Sequence, residues 1–84
     1  LVLSSISEET HQILRNILEV LKASGMGFSN VVKCSIFMKN MGQYSEINDV
    51  YASYFSETPP AREAVEVSVL PKNVNVEISV IAVK

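Results

Sequence analysis

The sequence predicts an α+β domain: a mixed sheet with two helices on one face, in the order helix, strand, helix, strand, strand. Three observations carry this. Residues 8–24 and 43–55 repeat apolar side chains at helical spacing. Residues 31–39, 63–70 and 74–83 alternate with period two. The length, 84 residues, admits a single domain over 1–84 with one small core. Two amphipathic helices and three strands bury their apolar sides by packing as two layers.

The first helix runs from Glu8 to Ser24. Ile13, Leu14, Ile17, Leu18 and Leu21 form one apolar stripe. Ser5 followed by Glu8 fits a capping box, and Glu8, Glu9 and Lys22 complement the helix dipole. Gly25 supplies the left-handed stop, so Gly25-Met26-Gly27 is a helix end rather than a phosphate loop. The first strand, Val31 to Lys39, places Val32, Cys34, Ile36 and Met38 on one face. Val31, Lys33, Ser35, Phe37 and Lys39 take the other.

Gly42 breaks the chain before the second helix, Gln43 to Phe55, whose stripe is Ile47, Val50, Tyr51 and Tyr54. Pro59-Pro60 then forces extended backbone. The second strand, Glu63 to Leu70, carries Val65, Val67 and Val69 on one face. The third, Val74 to Val83, carries Val74, Val76, Ile78, Val80 and Ala82. Pro71-Lys72 reads as the tight turn of a hairpin between them. Three strands under two helices leave a partly apolar second face and open edges, which points to oligomerisation.

Composition narrows the function classes. Hydrophobic residues at 48% and charged residues at 19% exclude intrinsic disorder. The longest uncharged run, Ala23 to Val32, is ten residues, too short for a membrane helix. A net charge of -2 and a pI near 5.3 disfavour nucleic acid and anionic lipid as partners. The single cysteine, Cys34, allows no intrachain disulfide and favours a reducing compartment. That compartment is the cytoplasm, or the mitochondrion if a transit segment precedes this chain. Leu1-Val2-Leu3 lacks the basic start of a signal peptide. The absence of an initiator methionine is what a processed, trimmed or incompletely represented chain shows.

The run Pro60-Ala61-Arg62-Glu63-Ala64-Val65-Glu66-Val67-Ser68-Val69-Leu70-Pro71, followed by Val76-Glu77-Ile78-Ser79-Val80-Ile81-Ala82, resembles the C-terminal signature of the RidA family. This is the reactive intermediate deaminase family, also called YjgF or L-PSP. Asn30-Val31-Val32-Lys33 and Asn48-Asp49-Val50-Tyr51-Ala52-Ser53-Tyr54-Phe55 also look like its segments. The resemblance implies a chorismate-mutase-like fold and a homotrimer with small-molecule clefts between subunits. It implies hydrolysis of enamine or imine intermediates, such as 2-aminoacrylate, to a keto acid and ammonia, with no cofactor and no metal. It assigns Arg62 to the substrate carboxylate, Glu77 to positioning or activating water, and Asn48 to the cleft lining. Family chains carry strands before the first helix, which supply a tyrosine and a serine-glycine segment to the site; this sequence resembles the part that follows them. Some members have a reactive cysteine two residues after the arginine, where this sequence has Ala64.

Physical chemistry reads the same residues independently. Arg62 follows a rigid proline approach, and an anchored guanidinium binds carboxylates bidentately. Its structural alternative is a surface ion pair with Glu57 or Glu63. Pairing Val69 with Val74 sets Glu66 opposite Glu77, where like charges raise one pKa and suit acid–base work. The alternative is that both face solvent or are neutralised, by Arg62 or by a neighbouring subunit. Cys34 reads as a small core residue, His11 as an exposed helix residue, and Met26, Met38 and Met41 as gap fillers. A Cys34–His11 nucleophile pair has little support, and neither residue has metal-ligand spacing. Tyr44, Tyr51 and Tyr54 read as packing groups. Two functions compete with the deaminase: an L-PSP-type endoribonuclease or translation inhibitor, and a non-catalytic small-metabolite binding module. The acidic pI and unclustered Lys and Arg count against the first.

Overall fold

The computed structural model describes residues 5–55 and 59–84. The expectations on Leu1-Val2-Leu3 and on a Glu57 ion pair lie outside those residues.

Helix α1 spans Ile6–Ala23. Ser5 caps it, its hydroxyl accepting the Glu8 N–H at 3.1 Å. The other end is a Schellman turn: the Met26 N–H donates to Leu21 O at 2.8 Å and the Gly25 N–H to Lys22 O at 3.0 Å. Gly25 is left-handed there, φ 74°. Leu14 and Leu21 are buried as the stripe requires, and Ile6 and Thr10 extend it by two turns. Thr10 tolerates burial because its hydroxyl donates to Ile6 O at 2.7 Å.

Strand β1 spans Val31–Met38 and helix α2 spans Tyr44–Tyr54. Strand β2, Ala61–Glu66, pairs parallel to β1. β1, α2 and β2 thus form a crossover unit, the way a chain joins parallel neighbours. Strand β3, Val76–Ala82, runs antiparallel to the other side of β1. The sheet order is β2-β1-β3. Ile47, Val50 and Tyr51 of α2 and the α1 stripe pack on Cys34, Ile36, Met38, Val76 and Ile78 in one core cluster.

The order corrects the expected hairpin. β2 and β3 are not partners, because β1 lies between them. Crossing one strand spans two strand spacings, roughly 10 Å, which a two-residue turn cannot bridge. Residues 67–75 bridge it instead, through a 3-10 turn at Pro71–Asn73 in which Lys72 and Asn73 are left-handed at φ 59° and 55°. Hydrogen bonds from the Val67 N–H to Met38 O and from the Lys39 N–H to Asn75 O tie both ends of this crossing to β1. β2 accordingly ends at Glu66, not Leu70.

A register shift between Val31 and Lys33 inserts Val32 as a bulge. Val31 is therefore buried and Val32 exposed, the reverse of strict alternation. Beyond the bulge each face reads in rows of paired residues. Under the helices the rows are Arg62–Cys34–Val80, Ala64–Ile36–Ile78 and Glu66–Met38–Val76. On the open face they are Ala61–Lys33–Ile81, Glu63–Ser35–Ser79 and Val65–Phe37–Glu77. The valine face of β2 thus points away from the helices, and its polar face points toward them. Val65 and Ile81 stand exposed on the open face.

Candidate functional site

Arg62 enters from the second position of β2 and lies over α2. Tyr44, Asn48 and Tyr51 are spaced i, i+4 and i+7, one stripe of that helix. The guanidinium Nη1 donates to Asn48 Oδ1. Its Cζ lies 5.0 Å from the Tyr51 ring centre and 5.7 Å from that of Tyr44, within cation–π range. Among the described residues no carboxylate lies within ion-pair distance of Arg62. Glu63, one expected partner, sits on the opposite face. There Ser35 donates to Glu63 Oε1 at 2.8 Å and Lys33 approaches at 3.6 Å. Those two contacts, the Ser35 hydroxyl first, hold the Glu63 carboxyl below the usual range.

Beneath Arg62, Cys34 is fully buried, as expected of a core residue. Burial pushes its thiol up, against the lowering influence of Tyr51 and Arg62. The Tyr51 phenol is pushed up too, first by burial and then by Cys34. Its hydroxyl is buried with no well-formed hydrogen bond among the described residues. An arginine without a carboxylate partner among the described residues, fixed on a polar-aromatic cradle above an apolar floor, suits a small planar anion such as a carboxylate.

The structure brings Arg62 and Asn48 together and leaves Glu77 apart. Glu77 belongs to the row Val65–Phe37–Glu77, on the open face and three β1 positions from the Arg62 row. That is about 10 Å along the strand in addition to the thickness of the sheet. Nor does Glu77 face Glu66. Glu66 lies on the helix side across β1, where its carboxylate accepts the Met41 N–H at 2.7 Å. The expected coupling of the two glutamates fails because it assumed the hairpin.

Two further expectations change. His11 is not simply exposed: it is half-buried, with Nδ1 2.9 Å from the Tyr54 hydroxyl, joining α1 to α2. Met41 is exposed rather than a gap filler, unlike the buried Met38. Tyr44 and Tyr51 are the site residues that sequence reasoning missed. The signal was present as Tyr44-x3-Asn48-x2-Tyr51 on one helix face. It becomes meaningful only when β2 is placed beside β1, which sets Arg62 over that face. Among the described residues no group of His, Cys, Asp and Glu is arranged to hold a metal ion.

Comparisons with known proteins agree with this architecture. The model of the family described as Endoribonuclease L-PSP matches residues 1–84. The 2-iminobutanoate/2-iminopropanoate deaminase of Bos taurus is 46% identical over 84 residues, covering 100% of this chain and 61% of that protein. Among solved structures, yeast Mmf1 superposes with a TM-score of 0.96 at 41% identity, over 99% of this chain and 66% of that one. The Escherichia coli protein TdcF, solved with bound serine, superposes with a TM-score of 0.95 at 30% identity, over 100% and 68%. The chain thus spans roughly two thirds of the length of the relatives it matches. With the family model matched end to end and the fold shared, the chain belongs to the YjgF/RidA family, the L-PSP endoribonuclease-like family that its Pro-Ala-Arg, Leu-Pro and Val-Glu-Ile segments resemble.

Proposed function

We propose that the protein hydrolyses small enamine or imine intermediates that carry a carboxylate, such as 2-aminoacrylate and its imine, to keto acids and ammonia. The observation that carries this reading is the Arg62 guanidinium: anchored by Asn48 and two tyrosines, with no carboxylate partner among the described residues. The bovine relative, a 2-iminobutanoate/2-iminopropanoate deaminase, supports the same chemistry.

The reaction needs no redox partner. The enamine takes a proton at carbon to become an imine. Water adds to the imine carbon, a proton moves to nitrogen, and the carbinolamine collapses to the keto acid and ammonia. Arg62 holds the substrate carboxylate in the planar fork that a guanidinium offers. Asn48 holds Arg62 and lines the site. Glu77 orients the water or takes its proton, the general-base role of a carboxylate within hydrogen-bond reach. Since Arg62 and Glu77 of one chain occupy opposite faces, they serve one substrate across a subunit boundary, Arg62 from one copy and Glu77 from its neighbour.

That arrangement requires a closed homo-oligomer, which we take to be a trimer. The exposed Val65, paired with Phe37, and the exposed Ile81, paired with Lys33, supply apolar surface for association on the Glu77 face. The single buried thiol suits a reducing compartment such as the cytoplasm. A second reading, a carboxylate-binding module without turnover, is favoured by serine bound in TdcF, since serine is not an imine. Keto-acid release from freshly generated 2-aminoacrylate separates the two. Release above the uncatalysed rate, lost in Arg62→Ala, is the expected result. Keto-acid binding with no acceleration would leave the binding module.

A further inference from the structure

We propose that Tyr44 and Tyr51 are positioning residues for Arg62: their two rings and the Asn48 amide fix the plane of the guanidinium so that its remaining N–H edge meets a ligand carboxylate. This rests on the carboxylate-binding reading above and deepens it.

An arginine on an edge strand ordinarily spreads over many rotamers, and a ligand that needs one of them must overcome that freedom. Here a single helix stripe removes it. Tyr51 lies 5.0 Å and Tyr44 5.7 Å from Cζ, while Asn48 takes one Nη1 hydrogen. The guanidinium carries five N–H donors, of which one bonds Asn48 among the described residues. Neither ring cancels the positive charge, as a carboxylate partner would. The contacts fix orientation and leave the charge for the ligand. Tyr51 is suited to its part because it is buried in the core, so its ring cannot swing away. Tyr44 is half-buried at the first position of α2, where its ring can be altered without opening the core.

The test uses pyruvate, a stable keto acid, as the probe, with calorimetry and turnover measured side by side. Tyr44→Leu removes one ring and should weaken pyruvate binding about two- to fivefold. It should raise KM with little change in kcat. Tyr44→Phe keeps the ring and should bind as wild type does. In an Arg62→Ala background, Tyr44→Leu should add no further loss, because its effect travels through the guanidinium. Tyr51→Phe should bind normally, since the ring and not the hydroxyl makes the contact. Undiminished binding by Tyr44→Leu, equal losses in the Phe and Leu variants, or an undiminished Tyr44 effect without Arg62 would each overturn the proposal. Nitrogen NMR of the Arg62 side chain reads positioning without any ligand. Guanidinium rotation should quicken in Tyr44→Leu and stay slow in Tyr44→Phe; equal rates in wild type and Tyr44→Leu would overturn the role. Wild-type protein that binds no pyruvate yet shows this change in rotation overturns the carboxylate reading and leaves the positioning role standing.

Discussion

Arg62 and Glu77 stand on opposite faces of one three-stranded sheet, with β1 between the strands that carry them. The register fixes this: Arg62 pairs with Cys34 under the helices, and Glu77 pairs with Phe37 on the open face. A strand's side chains alternate between faces, so no local adjustment turns both toward one ligand.

Subunit complementation follows. Arg62→Ala and Glu77→Gln, each inactive alone, should recover activity when co-expressed. Where a boundary joins the intact Arg62 of one copy to the intact Glu77 of the next, the site is complete. Random mixing leaves about a quarter of the boundaries complete, so about a quarter of wild-type turnover is expected. Zero recovery from confirmed mixed oligomers would place both residues in one subunit's site.

Arg62→Ala should abolish turnover and weaken binding of a keto acid roughly 10- to 100-fold, the worth of a charge-assisted hydrogen bond. The cost to the fold should be about 1 kcal/mol, since an exposed arginine loses its stacking on Tyr44 and Tyr51 and its solvent-exposed hydrogen bond to Asn48. Arg62→Lys should fail nearly as badly, because an ammonium offers neither the planar fork nor the stacking. Calorimetry and urea melts of both variants check this, and full activity in Arg62→Lys would contradict it.

Much of the fold is legible in the sequence because it is set locally. Ser5 and Gly25 mark the ends of α1, and the Cys34, Ile36, Met38 alternation marks β1, through rules that act within a few residues. What escapes is set by distant partners. The turn residues Pro71 and Lys72 say that the chain reverses, but only the pairing of β1 on both sides says that the reversal crosses a strand. The Val32 bulge is likewise invisible to a period-two count, which has no term for an inserted residue. The candidate site inherits the same limit. Arg62 and Asn48 are visible as residues, while the tyrosine cradle depends on a parallel pairing, Cys34 with Arg62, that joins distant segments through α2.

Cys34 should make stability fall on the alkaline side. Its folded thiol is raised by burial, so it keeps its proton where the unfolded thiol, with an ordinary value of 9.0, has lost it. The folded state therefore binds more protons above that pH, and stability declines as pH rises from the unfolded value toward the folded one. Tyr51, also raised, adds to the decline above its ordinary 10.0. Urea midpoints between pH 8 and 10.5 should fall less steeply in Cys34→Val than in wild type. The native thiol should also resist alkylation until the protein unfolds. Prompt native-state labelling at pH 8 would contradict the buried placement.

Glu77→Gln should bind pyruvate nearly as wild type does and lose ~10²–10⁴-fold in turnover of 2-aminoacrylate. The amide keeps the shape of the side chain but can neither take nor return a proton. Loss of binding instead would make Glu77 part of the anion site rather than of the proton transfer.

The open face should be where copies meet. Val65 and Ile81 are exposed at 42% and 57%, Val65 in the row of Phe37 and Glu77 and Ile81 in the row of Ala61 and Lys33. Isolated exposed valines need no explanation, but here they belong to one side of a sheet whose other side is packed. Val65→Lys places a strongly hydrated charge on the β2 edge of that side, in the row of Phe37 and two strands from Glu77. It leaves the helix-side core untouched, so the domain should still fold with wild-type helicity. Sedimentation of wild type at micromolar concentration should give three times the 9.3 kDa protomer, and Val65→Lys should shift it toward one. Keto-acid release should fall with the oligomer, because Glu77 of a neighbour no longer reaches the substrate. Pyruvate binding should fall less, since Arg62, Asn48 and the two tyrosines stay together on one chain. A variant that remains trimeric and active would move the interface off this face, and with it the shared site.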